Sequence, residues 1–113
     1  MPFKFSRCLC LQTPGGDKAV EFYEKVMGLT IVDRTDNTVE FKSGEIRLFV
    51  QEKEQLGPIM EFVVPDLEKA KTELLKQGCQ VVRWMGKGND CFIRDPFGFV
   101  FNLWEEPSEF AKA

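Results

Sequence analysis

The chemistry available to this chain is defined first by a residue it lacks: among 113 residues there is no histidine. That removes the usual general base, the usual zinc ligand and every mechanism built on an imidazole. The cysteines are the next candidates. Cys8 and Cys10 are two apart, which puts both sulfurs on one face of a strand, and Cys91 falls in a later strand, so three thiolates could surround a metal ion. The opposing expectation is that Cys8, Cys10, Cys79 and Cys91 are buried free thiols, because a chain that is 43% hydrophobic needs no disulfide framework. Gly86-Lys87-Gly88 has the spacing of a phosphate cradle, yet it lies between two strands rather than between a strand and a helix. A hairpin turn is expected there.

Composition narrows the partners. A net charge of -3 and a pI near 5.0, with acidic and basic residues interleaved, leave no electrostatic footprint for nucleic acid or an anionic membrane. No stretch approaches the roughly 20 apolar residues of a membrane span, and Met1 to Arg7 has neither a long apolar core nor a cleavage site. A cytoplasmic protein is expected.

The elements that must position these residues follow from turn and cap signals. Ser6 to Thr13 reads as a strand broken by Pro14-Gly15-Gly16, and Asp17 as the N-cap of a helix running to Met27. Ala19, Val20, Tyr23, Val26 and Met27 form the apolar face of that helix, and Gly28 ends it. Three strands follow, Leu29 to Arg34, Thr38 to Lys42 and Ile46 to Gln51. After a polar connection ending in Gly57-Pro58 the plan repeats: a strand from Ile59 to Val64, a helix capped by Asp66 with Leu67, Ala70 and Leu74 buried, then strands Cys79 to Met85 and Asp90 to Arg94. Asp95-Pro96-Phe97-Gly98 is a turn with a mechanism, since Pro96 presets φ, Asp95 can bond the backbone ahead and Gly98 can take positive φ. It leads into a last strand carrying Val100, Asn102 and Trp104. Superposing Gly44 on Gly98 lays Leu48 over Asn102, and the chain reads as two β-α-β-β-β units about fifty residues apart.

These features are similar to those of the vicinal oxygen chelate superfamily, which includes glyoxalase I, bleomycin resistance proteins, extradiol dioxygenases and fosfomycin resistance enzymes. The matching phrases are Phe22-Tyr23-Glu24-Lys25-Val26-Met27-Gly28-Leu29, Val64-Pro65-Asp66-Leu67-Glu68-Lys69-Ala70 and Asp95-Pro96-Phe97-Gly98. The resemblance implies an α+β fold of two βαβββ modules forming a mixed, strongly curved sheet with a concave cup. It divides the single domain of residues 1–113 into a module at about 6–52, a linker at about 53–58 and a second module at about 59–106.

In the metal-using members, the first and last strands of each unit supply His, Glu or Gln ligands. Counting from the matched phrases puts Cys8, Leu48, Ile59 and Asn102 at those four positions, and such a set does not build a divalent cation site. No metal and no other cofactor is therefore expected. A one-residue slip would bring Glu52, Glu61 or Glu105 closer to the cup, but no slip creates a histidine. From the same four positions, alternation puts Cys8, Cys10, Gln12, Ile46, Leu48, Val50, Ile59, Glu61, Val63, Val100, Asn102 and Trp104 on the concave side. Phe49, Phe62, Phe101 and Leu103 then lie under the helices. The predicted ligand-binding residues are Cys8, Cys10, Gln12, Leu48, Ile59, Glu61, Asn102 and Trp104.

Several of these have two readings. Glu61 is either a proton acceptor or cation ligand inside the cup, or a carboxylate paired with Arg7, Arg83 or Arg94. Trp84 and Trp104 either stack on a planar ligand or anchor a core or interface. Asn102 bonds either a ligand or backbone across the strand. The resulting expectation is a metal-free protein that binds and sequesters a small organic molecule. A metal-independent lyase, isomerase or epimerase with Glu61 as base, and an accessory interaction module with a closed cup, are the alternatives. A homodimer is expected in each case, with Phe3, Phe5 and Phe110 packed on the domain or on a second subunit.

Overall fold

The computed structural model describes residues 2–106; Phe110, expected to pack, lies outside them. The chain forms two compact units, Arg7–Ile59 and Met60 onward together with the first six residues.

In the first unit, β1 (Lys4–Thr13) is followed by α1 (Gly16–Glu21), β2 (Thr30–Thr35), β3 (Thr38–Ser43) and β4 (Ile46–Glu52). The strand order is β2-β3-β4-β1, with antiparallel pairs on either side of β3 and a parallel pair between β4 and β1. That is a mixed sheet, and the helix covers one face of it. Phe41 and Val50 are buried with Val20 of α1, and Ala19, Tyr23, Leu29, Ile31, Val39 and Leu48 pack around them.

Two features of α1 differ from the sequence expectation. Asp17 is not the N-cap: Gly15 occupies that position without a side-chain bond, and the Gly16 N–H donates instead to Glu52 Oε1 at 2.9 Å. The helix also changes pitch, continuing as a π turn over Phe22–Val26, where Met27 N–H reaches back to Phe22 O at 3.2 Å. Residues spaced for 3.6 per turn then no longer share a face. Val26 and Met27, expected to be buried, are therefore 70% and 55% exposed, while Tyr23 still meets Phe41 edge to face.

The second unit has the same plan: β5 (Leu56–Val64), α2 (Leu67–Lys76), β6 (Gln80–Trp84), β7 (Cys91–Arg94) and β8 (Val100–Glu105). The strand order is β5-β8-β7-β6, with β5 parallel to β8 and the other pairs antiparallel. β5 begins three residues before the expected Ile59, within the polar connection. Val64, Leu67, Ala70, Cys79, Cys91, Ile93 and Leu103 form the core under α2, with Phe3, Phe62, Trp84 and Phe101 against it. Phe5 lies over Phe62 with 43% of its surface open.

Asp66 caps α2 as expected, its Oδ1 accepting from Lys69 N–H at 3.0 Å, and a second acceptor, Glu105 Oε2, takes Leu67 N–H at 3.2 Å. Glu52 and Glu105 thus do the same work at the ends of β4 and β8, which ties the two repeats together chemically. The turn at Asp95 is built as its residues dictate: Asp95 Oδ1 accepts from Phe97 N–H and Phe99 N–H, both at 2.9 Å, and Gly98 has φ 96°. Gly86-Lys87-Gly88-Asn89 closes the β6–β7 hairpin, with Met85 N–H bonded to Asp90 O. No helix among the described residues is long and apolar enough to cross a membrane.

Candidate functional site

Strand register decides which side chains share a face. In the first unit Cys8 pairs with Arg47, Cys10 with Phe49 and Gln12 with Gln51, while Leu9 pairs with Leu48 and Leu11 with Val50. Leu48 and Val50 lie with Phe41 against α1. Leu48 is thus on the helix side, opposite Cys10 and Gln12, and its assignment to the ligand-binding face is corrected, as are those of Ile46 and Val50. Phe49, expected under the helices, belongs with Arg47 and Gln51 on the face of Cys8, Cys10 and Gln12.

The cause is turn length. Gly44-Glu45 is a two-residue turn between Ser43 and Ile46, whereas five residues separate Arg94 from Val100. The two turns differ by an odd number of residues, so matching glycine to glycine reverses the faces.

Gln51, which sequence reasoning missed, is the centre of a polar network on this face. Its Oε1 accepts from Gln12 Nε2 at 2.7 Å and from Cys10 Sγ at 3.4 Å, and its Nε2 donates to Thr38 Oγ1 at 3.2 Å. The Thr38 hydroxyl donates in turn to Asn37 Oδ1. Every donor in the chain points the same way, which fixes the orientation of both glutamine amides. Gln12 is 1% exposed, and no described residue donates to its Oε1. Further along the face Arg47 forms a two-point ion pair with Glu40, at 2.8 and 3.0 Å, and lies over the Phe49 ring. The hydrogen bonds from Arg47 hold the Glu40 carboxyl below its ordinary pKa, against a smaller opposing effect of burial.

In the second unit Glu61 pairs with Asn102 and Val63 with Trp104, so these share a face with Ile59 and Val100, as the alternation predicts. Asn102 Nδ2 donates to Glu61 Oε1 at 3.1 Å, and Asn102 Oδ1 accepts from Cys91 N–H at 2.8 Å. Asn102 therefore bonds backbone across the strand and orients the carboxylate at once. The arginines considered as partners for Glu61 are engaged elsewhere in two cases: Arg7 pairs with Glu45 and Arg83 with Asp90. Trp84 lies in the α2 core with Lys71 over its ring, whereas Trp104, half-buried, is on the face of Glu61.

The four cysteines are free. Cys79 and Cys91 are buried in the α2 core, and burial pushes both thiols up. Cys8 and Cys10 are only half-buried. Cys91 pairs with Trp84 on the helix side and donates to Gly86 O, so the three-thiolate arrangement is not assembled around it. Among the described residues no group of three or more His, Cys, Asp or Glu is placed to hold a metal ion.

The residues at the family's four ligand positions do not fit a metal either. Cys8 supplies one thiol, Ile59 nothing, and Asn102 has its oxygen taken by Cys91 N–H; the available β4 side chains are Arg47, Phe49 and Gln51. Of the carboxylates that a slip would recruit, Glu52 and Glu105 cap the two helices and Glu61 is bonded to Asn102. The chemistry on offer is therefore amide, thiol, carboxylate and aromatic contact with an organic molecule.

Residues 8–104 match the family model described as the glyoxalase-like domain. Among solved structures, a hypothetical protein from Bacillus halodurans C-125 is similar at 14% identity, with a TM-score of 0.66 over 95% of this chain and 96% of that one. An uncharacterised protein from Methanosarcina mazei is similar at 21% identity, with a TM-score of 0.55 over 95% of each chain. The homoprotocatechuate 2,3-dioxygenase of Brevibacterium fuscum, in complex with 3,4-dihydroxyphenylacetate, is 23% identical with a TM-score of 0.60 over 92% of this chain and 37% of that one. At these identities the likeness is one of fold. No curated protein sequence matches the chain.

Proposed function

The chain belongs to the glyoxalase-like domain family, within the vicinal oxygen chelate superfamily, and on that premise we propose that it binds a small organic molecule without using a metal ion. The observation that carries this reading is the donor set: Cys8, Ile59 and Asn102 stand where relatives place metal ligands, and the neighbouring β4 face offers Arg47, Phe49 and Gln51. Apolar and aromatic walls with a few fixed polar groups are the makeup of a small-molecule site. Cys10, Gln12 and Gln51 are those groups in the first unit, and Glu61, Asn102 and Trp104 in the second. The molecule is held and sequestered rather than transformed, in a cytoplasmic homodimer.

The test is tryptophan fluorescence of a Trp84→Phe variant, in which the signal comes from Trp104 on the ligand-facing side. Planar organic molecules from a varied panel are expected to quench it in a saturable way, unchanged by added chelator. Absence of any saturable response across the panel, or one that needs a divalent cation, would rule the reading out.

The bond from Asn102 to Glu61 favours a second reading, a metal-independent lyase, isomerase or epimerase in which Glu61 takes a proton from a bound substrate. Asn102 would then be a positioning residue. A Glu61→Gln variant should abolish turnover while leaving binding within about threefold, because the amide keeps the shape and one acceptor oxygen.

A further inference from the structure

At the end of β1 a cavity of about 340 Å³ opens between Leu11, Gln12 and Thr13, the α1 side chains Ala19 and Tyr23, and the segment from Gln55 to Pro58. All of it lies within the first unit. Its lining sets it apart from the two other clefts. A cleft of about 590 Å³ near the start of α1 is bordered by Asp17, Arg34, Asp36 and Glu52, and one of about 470 Å³ on the outer face of α2 by Glu68, Lys69, Glu73 and Lys76. The β1 cavity has no charged side chain in its wall. Small residues make the room: Ala19 and Gly57 face it with little or no side chain. One aromatic ring, Tyr23, provides a flat apolar surface.

Gln12 adds a specific polar feature. Its Nε2 is engaged with Gln51 Oε1, and the direction of that network leaves Oε1 as a buried acceptor to which no described residue donates. A buried acceptor without a donor is costly, and the cost is recovered by any molecule that brings an O–H or N–H to it. An anion would be repelled by the same oxygen and would find no cation in the wall.

We propose that this cavity binds a small neutral molecule carrying a hydroxyl or amide N–H, with Gln12 Oε1 as the acceptor and Tyr23 and Leu56 as apolar walls. The inference deepens the binding function proposed above, on which it rests, by naming the ligand's chemical class and adding a site away from the face of Glu61. The volume suits a substituted single ring, since a cavity of about 150 Å³ already admits benzene.

The experiment is an NMR titration of the full chain with phenol, benzamide, toluene and benzoate. Phenol and benzamide should shift the backbone amides of Leu11, Ala19, Tyr23 and Leu56 and the side-chain amide of Gln12. Toluene should bind about tenfold more weakly than phenol, and benzoate not measurably, because a polar site rejects the analogue that leaves its group unpaired. In Gln12→Met, phenol and toluene should come within about threefold of each other. Ala19→Leu, which fills the cavity from the helix side, should abolish the shifts and serves as the test should Gln12→Met not fold. Equal affinity for phenol and toluene, or a preference that survives in Gln12→Met, overturns the inference. So do shifts confined to Glu61, Asn102 and Trp104, which would leave the broader binding function standing. No shift with any probe would overturn both.

Discussion

Replacing Gln12 with methionine should leave the protein as stable as before or make it more stable, although Gln12 is buried and hydrogen-bonded. The substitution removes one neutral hydrogen bond, from Gln12 Nε2 to Gln51 Oε1 at 2.7 Å, with a net worth of about 1 kcal/mol. It also removes a buried Oε1 without a donor, which costs the native fold roughly 1–3 kcal/mol. Gln51 Oε1 is not orphaned, because Cys10 Sγ remains within 3.4 Å. Methionine is unbranched and of similar length, so it fills the space without strain. The balance is a gain of roughly 0–2 kcal/mol, and about 1 kcal/mol corresponds to about 4 °C in Tm for a chain of this size. Urea and thermal denaturation of the two proteins measure it. A loss of more than about 1.5 kcal/mol would refute the reasoning, since it would mean that Gln12 Oε1 is satisfied in the folded protein. A residue that lowers stability in the free protein is what a binding contact looks like before its ligand arrives.

Further predictions concern other parts of the fold. Gly57 has φ 125°, and a Cβ there would sit 2.9 Å from the carbonyl oxygen of Cys10, so Gly57→Ala should cost about 2 kcal/mol or more in denaturant titrations. Because Arg47 holds the folded-state pKa of Glu40 below its unfolded value, the stability from this pair is complete above the ordinary glutamate range and is lost as the pH falls through the lowered pKa. Glu40→Gln should therefore be less stable than the parent at neutral pH, with the difference shrinking in acid, as pH-dependent unfolding will show. Timed alkylation with mass analysis should label the half-buried Cys8 and Cys10 well before Cys79 and Cys91, whose thiols are buried and pushed up in pKa.

Much of the architecture was legible because its signals are local. Asp95-Pro96-x-Gly98, the Gly86 to Asn89 hairpin and the Asp66 cap each announce themselves within a few residues, and the order of elements repeats visibly. What escaped depends on partners far away in sequence or on small changes of pitch. Glu52 caps α1 from 36 residues downstream, so the nearer Asp17 looked like the cap. The π turn at Phe22–Val26 turned Val26 and Met27 outward without any local breaker. On the candidate site, the faces of β1, β5 and β8 followed from simple alternation, bringing Glu61 to Asn102. The face of β4 did not, because the Gly44 turn is shorter than the Gly98 turn by an odd number of residues, and Gln51 went unseen. The parallel register of β1 with β4 would have found it.

The central claim is that an organic molecule, and no metal ion, occupies the binding site. Native mass spectrometry of protein purified without chelator, with denaturing mass and elemental analysis of the same sample, tests it most directly. The account predicts substoichiometric metal and a bound organic species lost on denaturation. Stoichiometric zinc, iron or manganese retained by the folded protein would contradict it.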